Sequence, residues 1–298
     1  MTTIEEANVR LVHELVGLIN DRHYDKLDQI FADHFVDHRP GRDTSSLAEL
    51  KKAQADDRDE FDFTHEVRDT IAADDKVFLG SASIGRQART LFGRAGTGRT
   101  VNLSTFEIFR FEGGRIAERW ILRDLLSLAP QLGAAVPGLD LEALAEYDFY
   151  SKWSLRTAQM PSRTGGDNNL QTVFRMFQAL GARDNRLLDE AMAEDFQDHH
   201  PGIGDVASSA EYKRNIASFF ESMSMTGRTD VIFARGDRVV NRATMMGKHV
   251  GPFFGVPATG RDVAWTTIEV YRIEKNRVQE RWAIDDLYGL FGQLGVAL

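Results

Sequence analysis

Four side chains in the second half of this 298-residue chain are of the types that move protons: Asp198, His249, Glu269 and Asp286. An imidazole titrates near pH 6.5, and apolar surroundings push a carboxyl up toward neutrality, so both suit general acid/base chemistry. Asp286 ends the segment Glu280-Arg-Trp-Ala-Ile-Asp-Asp286, which reads as a strand. Alternation puts Glu280, Trp282, Ile284 and Asp286 on one side, and Arg281, Ala283 and Asp285 on the other. Trp282 and Ile284 mark the first side as the buried one, with Asp286 at the end of an apolar face. An Asp there is equally suited to cap the helix that follows (Leu287 to Gln293), so catalysis and capping both stay open. Glu269 shares a strand side with Val263, Trp265, Thr267 and Tyr271. It is either a cavity acid or the partner of a neighbouring arginine such as Arg281. His249 lies in Gly247-Lys-His-Val-Gly-Pro-Phe-Phe-Gly255, where glycines free the backbone around a titrating ring.

The remaining histidines of interest sit in a turn-like string. His199 and His200 follow Asp198, as His38 follows Asp37, each before a Pro-Gly. No His-x₃-His on a predicted helix and no two-histidine, one-carboxylate spacing occurs, so no metal site is expected. These rings read as turn residues bonded to backbone. Gly-x-Gly-x-x-Gly after a strand, a phosphate loop and Gly-x-Ser-x-Gly are also absent, which leaves chemistry without a cofactor.

The elements that must position these residues are written twice. Val77 to Gly133 and Val239 to Gly295 align without a gap at an offset of 162, with 22 of 57 positions identical. Such a period exceeds the roughly 20–50 residues of solenoid repeats and marks a tandem domain duplication. Asp124, Glu107 and Asp37 are therefore the first copy's counterparts of Asp286, Glu269 and Asp198, and Trp120 that of Trp282. Gln87 replaces His249.

Each copy opens with an amphipathic helix: Ile4, Leu11, Leu15, Leu18 and Ile19 behind a Thr3/Glu6 capping box, then Leu170, Val173, Phe174, Phe177 and Leu180. A short second helix is predicted over Lys26 to Ala32 and Leu187 to Ala193, and a third near Leu47 to Phe61 and Ser209 to Met223. About four antiparallel strands follow, giving an α+β domain. The predicted division is residues 1–135, a linker at 136–166 with a helix over Asp140 to Trp153, and 167–298.

Composition narrows the function classes. The net charge of −9 argues against nucleic-acid binding, which needs clustered basic residues. The absence of cysteine removes disulfides, thiolate catalysis and Cys-ligated zinc. No apolar run reaches about 18 residues and the first residues are acidic, so no membrane association is expected and the cytoplasm is the expected compartment.

The string from Gly247 to Arg261, then Ile268-Glu-Val-Tyr-Arg-Ile273 and Arg277 to Gly295, resembles the SnoaL-like polyketide cyclases of the nuclear-transport-factor-2-like superfamily. The resemblance implies two cone-shaped α+β domains, each with helices on a curved, mostly antiparallel sheet around a pocket. It also implies a general acid/base at Asp286, and at Asp124 in the first copy, acting without metal or cofactor on a small hydrophobic carbonyl compound. The family's pocket Asn and His align with Asp198 and Glu269, so three acids would share one pocket and one must stay protonated or pair with a base such as His249. Trp282, Trp265, Phe253, Phe254 and His199, with Trp120 in copy one, are the expected substrate-binding residues. The second copy keeps more of the signature, and the two copies are expected to pack as an internal pseudo-dimer. Two classes stay open: an acid/base enzyme (cyclase, isomerase, dehydratase or hydrolase), or a binding or scaffold protein of the same fold.

Overall fold

A computed structural model describes residues 3–44, 46–90, 95–134, 166–201 and 204–296. The chain divides into two compact units, Met1–Ala134 and Ala135–Leu298. The expected linker helix over Asp140 to Trp153 lies outside the described residues.

In unit one, α1 (Ile4–Asn20) begins at the expected capping box: Glu6 N donates to Thr3 Oγ1 and Thr3 N to Glu6 Oε2, at 3.2 and 2.9 Å. A 3₁₀ turn (Tyr24–Gln29), β1 (Phe31–Arg39), β2 (Arg42–Thr44) and α2 (Leu47–Phe61) follow. Then come β3 (Thr64–Ala73), β4 (Lys76–Arg86), β5 (Thr100–Glu112), β6 (Arg115–Arg123) and α3 (Leu128–Gln131). The sheet order is β2-β1-β6-β5-β4-β3. Val12 and Leu15 of α1 and Leu50 of α2 pack against Val77, Leu79 and Phe109.

Unit two repeats this with α4 (Gly166–Ala182), α5 (Asn185–Ala191), β7 (Met192–His199), α6 (Ser209–Ser222), β8 (Met223–Arg235), β9 (Arg238–His249), β10 (Asp262–Glu274), β11 (Arg277–Asp285) and α7 (Leu287–Leu294). Its order is β7-β11-β10-β9-β8. Val173 and Met176 of α4 and Tyr212 of α6 cover Val239 and Tyr271 of the sheet.

One element departs from the sequence reading. Between the second and third helices each unit inserts a strand, β1 or β7, that runs parallel to the last strand of its sheet. Asp37-His38 and Asp198-His199 thus lie inside strands, not in turns. The register of β1 shifts between Phe31 and Val36, and that of β7 against β11 shifts likewise. A bulge breaks the two-residue alternation by which a strand is recognised.

The identical residues of the two copies form one scaffold. Gln293 Nε2 donates to Ala264 O and Gln293 Oε1 accepts from Ala264 N, at 2.8 and 2.9 Å; Gln131 does the same with Asn102, at 2.9 and 2.8 Å. Arg261 Nη1 reaches Gln293 O at 2.7 Å, and Arg99 Nη1 reaches Gln131 O at 3.4 Å. Gly295 and Gly133 end these segments at φ +89° and +74°, a left-handed conformation that glycine adopts without strain. The repeated Gln-Leu-Gly is therefore a clasp between the last helix and the sheet.

Replacing Gln293 with Leu removes two backbone-matched hydrogen bonds at the surface. Urea unfolding is expected to show unit two losing about 1–2 kcal/mol, and Gln131→Leu to act the same way on unit one. An unchanged midpoint in both would show that the clasp contributes nothing.

Candidate functional site

Strand register decides which side of the sheet each residue faces. Arg281 pairs with Tyr271 and Asp198, Ala283 with Glu269, and Glu269 with Asn241, so these share the helix-covered face with Asp285. Trp282 pairs with Val270 and His199 and points to the opposite face. This exchanges the faces expected from sequence. Trp282 and Ala283 are both fully buried, so apolarity could not distinguish the two sides.

At the centre of the helix-covered face in unit two, Arg281 bridges two acids. Its Nη1 lies 3.0 Å from both carboxylate oxygens of Asp198; its Nε and Nη2 lie 2.9 and 2.8 Å from Glu269 Oε1. Asn241 Nδ2 donates to Glu269 Oε2 at 2.8 Å. Burial disfavours the charge on Arg281, but Asp198 and Glu269 outweigh it and hold the guanidinium well above its ordinary pKa. The charge conflict among acids is thus resolved by Arg281. His249 stands eight positions along β9 from Asn241, about 26 Å at ~3.3 Å per residue, and takes no part.

Beside this cluster, His200 Nε2 meets Asp285 Oδ2 at 2.5 Å and His200 Nδ1 meets Pro201 O at 2.8 Å. Trp265 Nε1 donates to Asp285 Oδ1 at 3.1 Å. Burial works against the His200 charge, yet the Asp285 carboxylate raises its pKa; burial works against the Asp285 charge, yet His200 lowers its pKa. The pair is a buried histidine–carboxylate contact in which each partner favours the charge of the other. Sequence reading missed it: its members lie 85 residues apart, and Asp285 had been set on the other face.

His199 belongs elsewhere. It stacks on Trp282 with ring centroids 5.5 Å apart, its Nδ1 and Nε2 facing Asp205 and Glu280 at 3.2 and 3.0 Å. His38 stacks on Trp120 in the same way at 5.0 Å, between Asp43 and Glu118. His199, Trp282 and Trp120 therefore lie on the face away from the acid–arginine clusters, which corrects their expected place in the pocket. Burial opposes the charge of His199, but its two carboxylates raise its pKa to about 9.

Asp286 is the N-cap of α7. Its Oδ1 accepts from Gly289 N at 2.9 Å, and a Cβ at Gly289 would come within 2.1 Å of Oδ2. No other hydrogen bond to this carboxylate occurs among the described residues, and neither Glu269 nor His249 reaches it. Burial raises its pKa; the Gly289 amide opposes this and the Asp285 charge adds to it. Asp124 makes the matching turn, with Ser127 N donating to Oδ1 at 3.3 Å.

His249 is fully buried, and burial lowers its pKa against the pull of the Gly251 backbone. Its Nδ1 accepts from Thr259 N at 3.2 Å, so the ring proton sits on Nε2. Gln87 Oε1 accepts from Thr97 N in the first copy, also at 3.2 Å. The His-to-Gln change thus preserves a loop anchor. Phe253 packs against Phe219, Phe254, Phe291 and the His249 ring, and Trp265 against Phe219, forming an apolar end to the helix-covered face.

Unit one keeps the bridge but not the pair. Arg119 Nε and Nη2 fork onto Asp37 at 2.8 and 3.0 Å, and Nη1 lies 3.4 Å from Glu107. Arg39 and Arg123 stand where unit two has His200 and Asp285, and Arg39 Nε also binds Asp37, at 2.7 Å. Burial works against the Asp37 charge, but Arg119 and Arg39 hold its carboxyl below the usual range. Burial raises Glu107, against the pull of Arg119. A cavity of 20 Å³ touches Glu107, Arg119 and Arg123, room for about one water.

Both units match one family, described as SnoaL-like polyketide cyclase, over residues 9–132 and 171–294. Among solved structures, a protein reported as a candidate SnoaL-like polyketide cyclase from Jannaschia sp. CCS1 is 24% identical, covering 47% of this chain and 99% of its own, with a TM-score of 0.43. IdmH, a candidate polyketide cyclase from Streptomyces antibioticus, is 27% identical over 43% of this chain and 99% of its own, at 0.39. TsrD from Streptomyces laurentii is 28% identical over 44% and 97%, at 0.40. No curated protein matches the chain. In each unit the helices pack on one mostly antiparallel sheet, the α+β build expected from the sequence.

The His199 geometry carries a pH signature. A histidine raised from 6.5 to about 9 adds stability that is full below pH 6.5 and is lost as pH rises through 9. The melting temperature of unit two should therefore fall between pH 6.5 and 9.5, and His199→Gln should start lower and fall less. A melting temperature flat across that range would contradict a charged His199.

Proposed function

The chain belongs to the SnoaL-like polyketide cyclase family, and from that premise we propose that unit two is a general acid/base site of cyclase or isomerase type. It works on a small hydrophobic carbonyl compound, with Asp286 taking and returning the proton and no cofactor involved. The observation that carries this reading is the Asp286 carboxyl, raised by burial, with Oδ1 fixed on Gly289 N and Oδ2 uncommitted. A base anchored by one oxygen keeps the other oriented, and a raised pKa makes it a stronger base for abstracting a proton next to a carbonyl. Asp198 and Glu269, both tied to Arg281, serve as a fixed electrostatic wall, with His200–Asp285 holding Trp265 beside them. Phe253, Phe254 and Trp265 supply the apolar contact, and His249 anchors the loop that carries Phe253.

Unit one is the weaker candidate, although Asp124, Glu107 and Asp37 repeat the acids. Arg39 and Arg123 stand in place of His200 and Asp285, so that copy has no counterpart of the histidine–carboxylate pair.

A second reading, a ligand-binding domain of the same fold, is favoured by the capping bond of Asp286. Solvent deuterium exchange separates the two. Wild-type protein is expected to speed exchange of the protons next to the carbonyl of aryl ketones and β-diketones in D₂O, followed by NMR. Asp286→Asn should lower the rate by about 10²–10⁴-fold, and Asp124→Asn should leave it unchanged. Exchange that survives Asp286→Asn, or no exchange at all, would remove the catalytic assignment and leave the binding reading.

A further inference from the structure

We propose that the interior of unit two takes a ligand bearing a hydroxyl or enol group whose O–H donates to Asn241 Oδ1. This inference deepens the reading above and rests on it for placing the ligand in unit two.

Asn241 is 1% exposed, at the centre of β9 on the helix-covered face. Its Nδ2 donates to Glu269 Oε2. A carboxylate tied to an arginine only accepts, so the amide cannot be turned around, and Oδ1 faces away from Glu269. That buried oxygen has no hydrogen-bond partner among the described residues. A buried acceptor left unsatisfied costs about 1–3 kcal/mol, and in native proteins such a group calls for an explanation.

The first copy shows that the fold does not require it. At offset 162, Leu50, Leu79, Leu103 and Phe109 occupy the places of Tyr212, Asn241, Trp265 and Tyr271, and all four are at most 1% exposed. Each replacement in unit two adds a hydrogen-bonding group to a position that an apolar side chain fills in unit one. Trp265 spends its N–H on Asp285. Burial keeps the Tyr212 and Tyr271 hydroxyls protonated, and that of Tyr271 faces the Glu269 carboxylate. Asn241 Oδ1, able only to accept, selects a donor. A ketone oxygen or ether does not satisfy it; a hydroxyl does.

The test compares 4′-hydroxyacetophenone with 4′-methylacetophenone, of nearly equal size, by calorimetric titration of the full chain. Wild-type protein is expected to bind the hydroxyl compound at least ten-fold more tightly. Asn241→Leu, which installs the residue unit one carries as Leu79, should reduce that preference to less than two-fold; Asn241→Ala serves if the leucine variant does not fold. Equal binding of the two probes to wild type would mean that Asn241 Oδ1 meets only a water, and would overturn the inference while leaving the ligand site standing. A preference that survives both variants would also overturn it. Binding of neither probe would overturn the ligand site together with the inference. Loss of exchange activity alone does not affect this outcome, since binding is read without turnover.

Discussion

Each unit is organised around one buried arginine that ties its first strand to its last. Arg281 and Arg119 sit on the helix-covered face and join an aspartate from the parallel strand (Asp198, Asp37) to a glutamate of the neighbouring antiparallel strand (Glu269, Glu107). A parallel pair needs a long crossover and has no hairpin to fix it, so a charge contact across it sets the register. Both charges are desolvated, which makes the bridge costly to half-remove: losing one partner of a buried pair typically costs about 3–5 kcal/mol. The presence of the same three residues in both copies follows from this structural demand, whatever else they do.

Around this common bridge the copies share a clasp and diverge in the interior. Thr259 and Arg261, Gln293 and Gly295 recur as Thr97 and Arg99, Gln131 and Gly133, and all serve the clasp between loop, sheet and last helix. Several residues facing the interior differ. Unit one has Leu50, Leu79, Leu103, Phe109, Arg39 and Arg123 at six of these positions, and its small cavity, with room for about one water, is also lined by Gln54, His65 and Ser81. Unit two puts tyrosine, asparagine, tryptophan and a histidine–aspartate pair in the same places. The exchange runs both ways, since Ile216, Gly227 and Ala243 of unit two stand where unit one has Gln54, His65 and Ser81.

Local pattern made much of this legible. The Thr3/Glu6 box, the helix over Leu47 to Phe61 and the hairpin strands are short-range signals, and the structure places them where the spacing does. The capping role of Asp286 and the Glu269–Arg281 pair were both among the readings the sequence left open. What escaped was long-range or masked by a bulge. β1 and β7 lose their alternation at a register shift, and Phe31 and Phe35 then resemble helical spacing. The last strand is buried on both sides, so Trp282 and Ile284 gave no guide to the face holding the acids. Arg281 was the available pointer, as a cation alternating with Ala283 and Asp285 within an otherwise apolar strand.

The account turns on the proton affinity of one carboxyl. The most direct measurement is an NMR titration of the chain with carbon-13-labelled aspartate, the Asp286 signal being identified by its loss in Asp286→Asn. A midpoint above the ordinary aspartate value of about 3.9 is the predicted result, because burial outweighs the single amide that Asp286 accepts from. A midpoint at or below that value would show a carboxylate stabilised by its cap alone, and would contradict Asp286 as the acid/base of unit two.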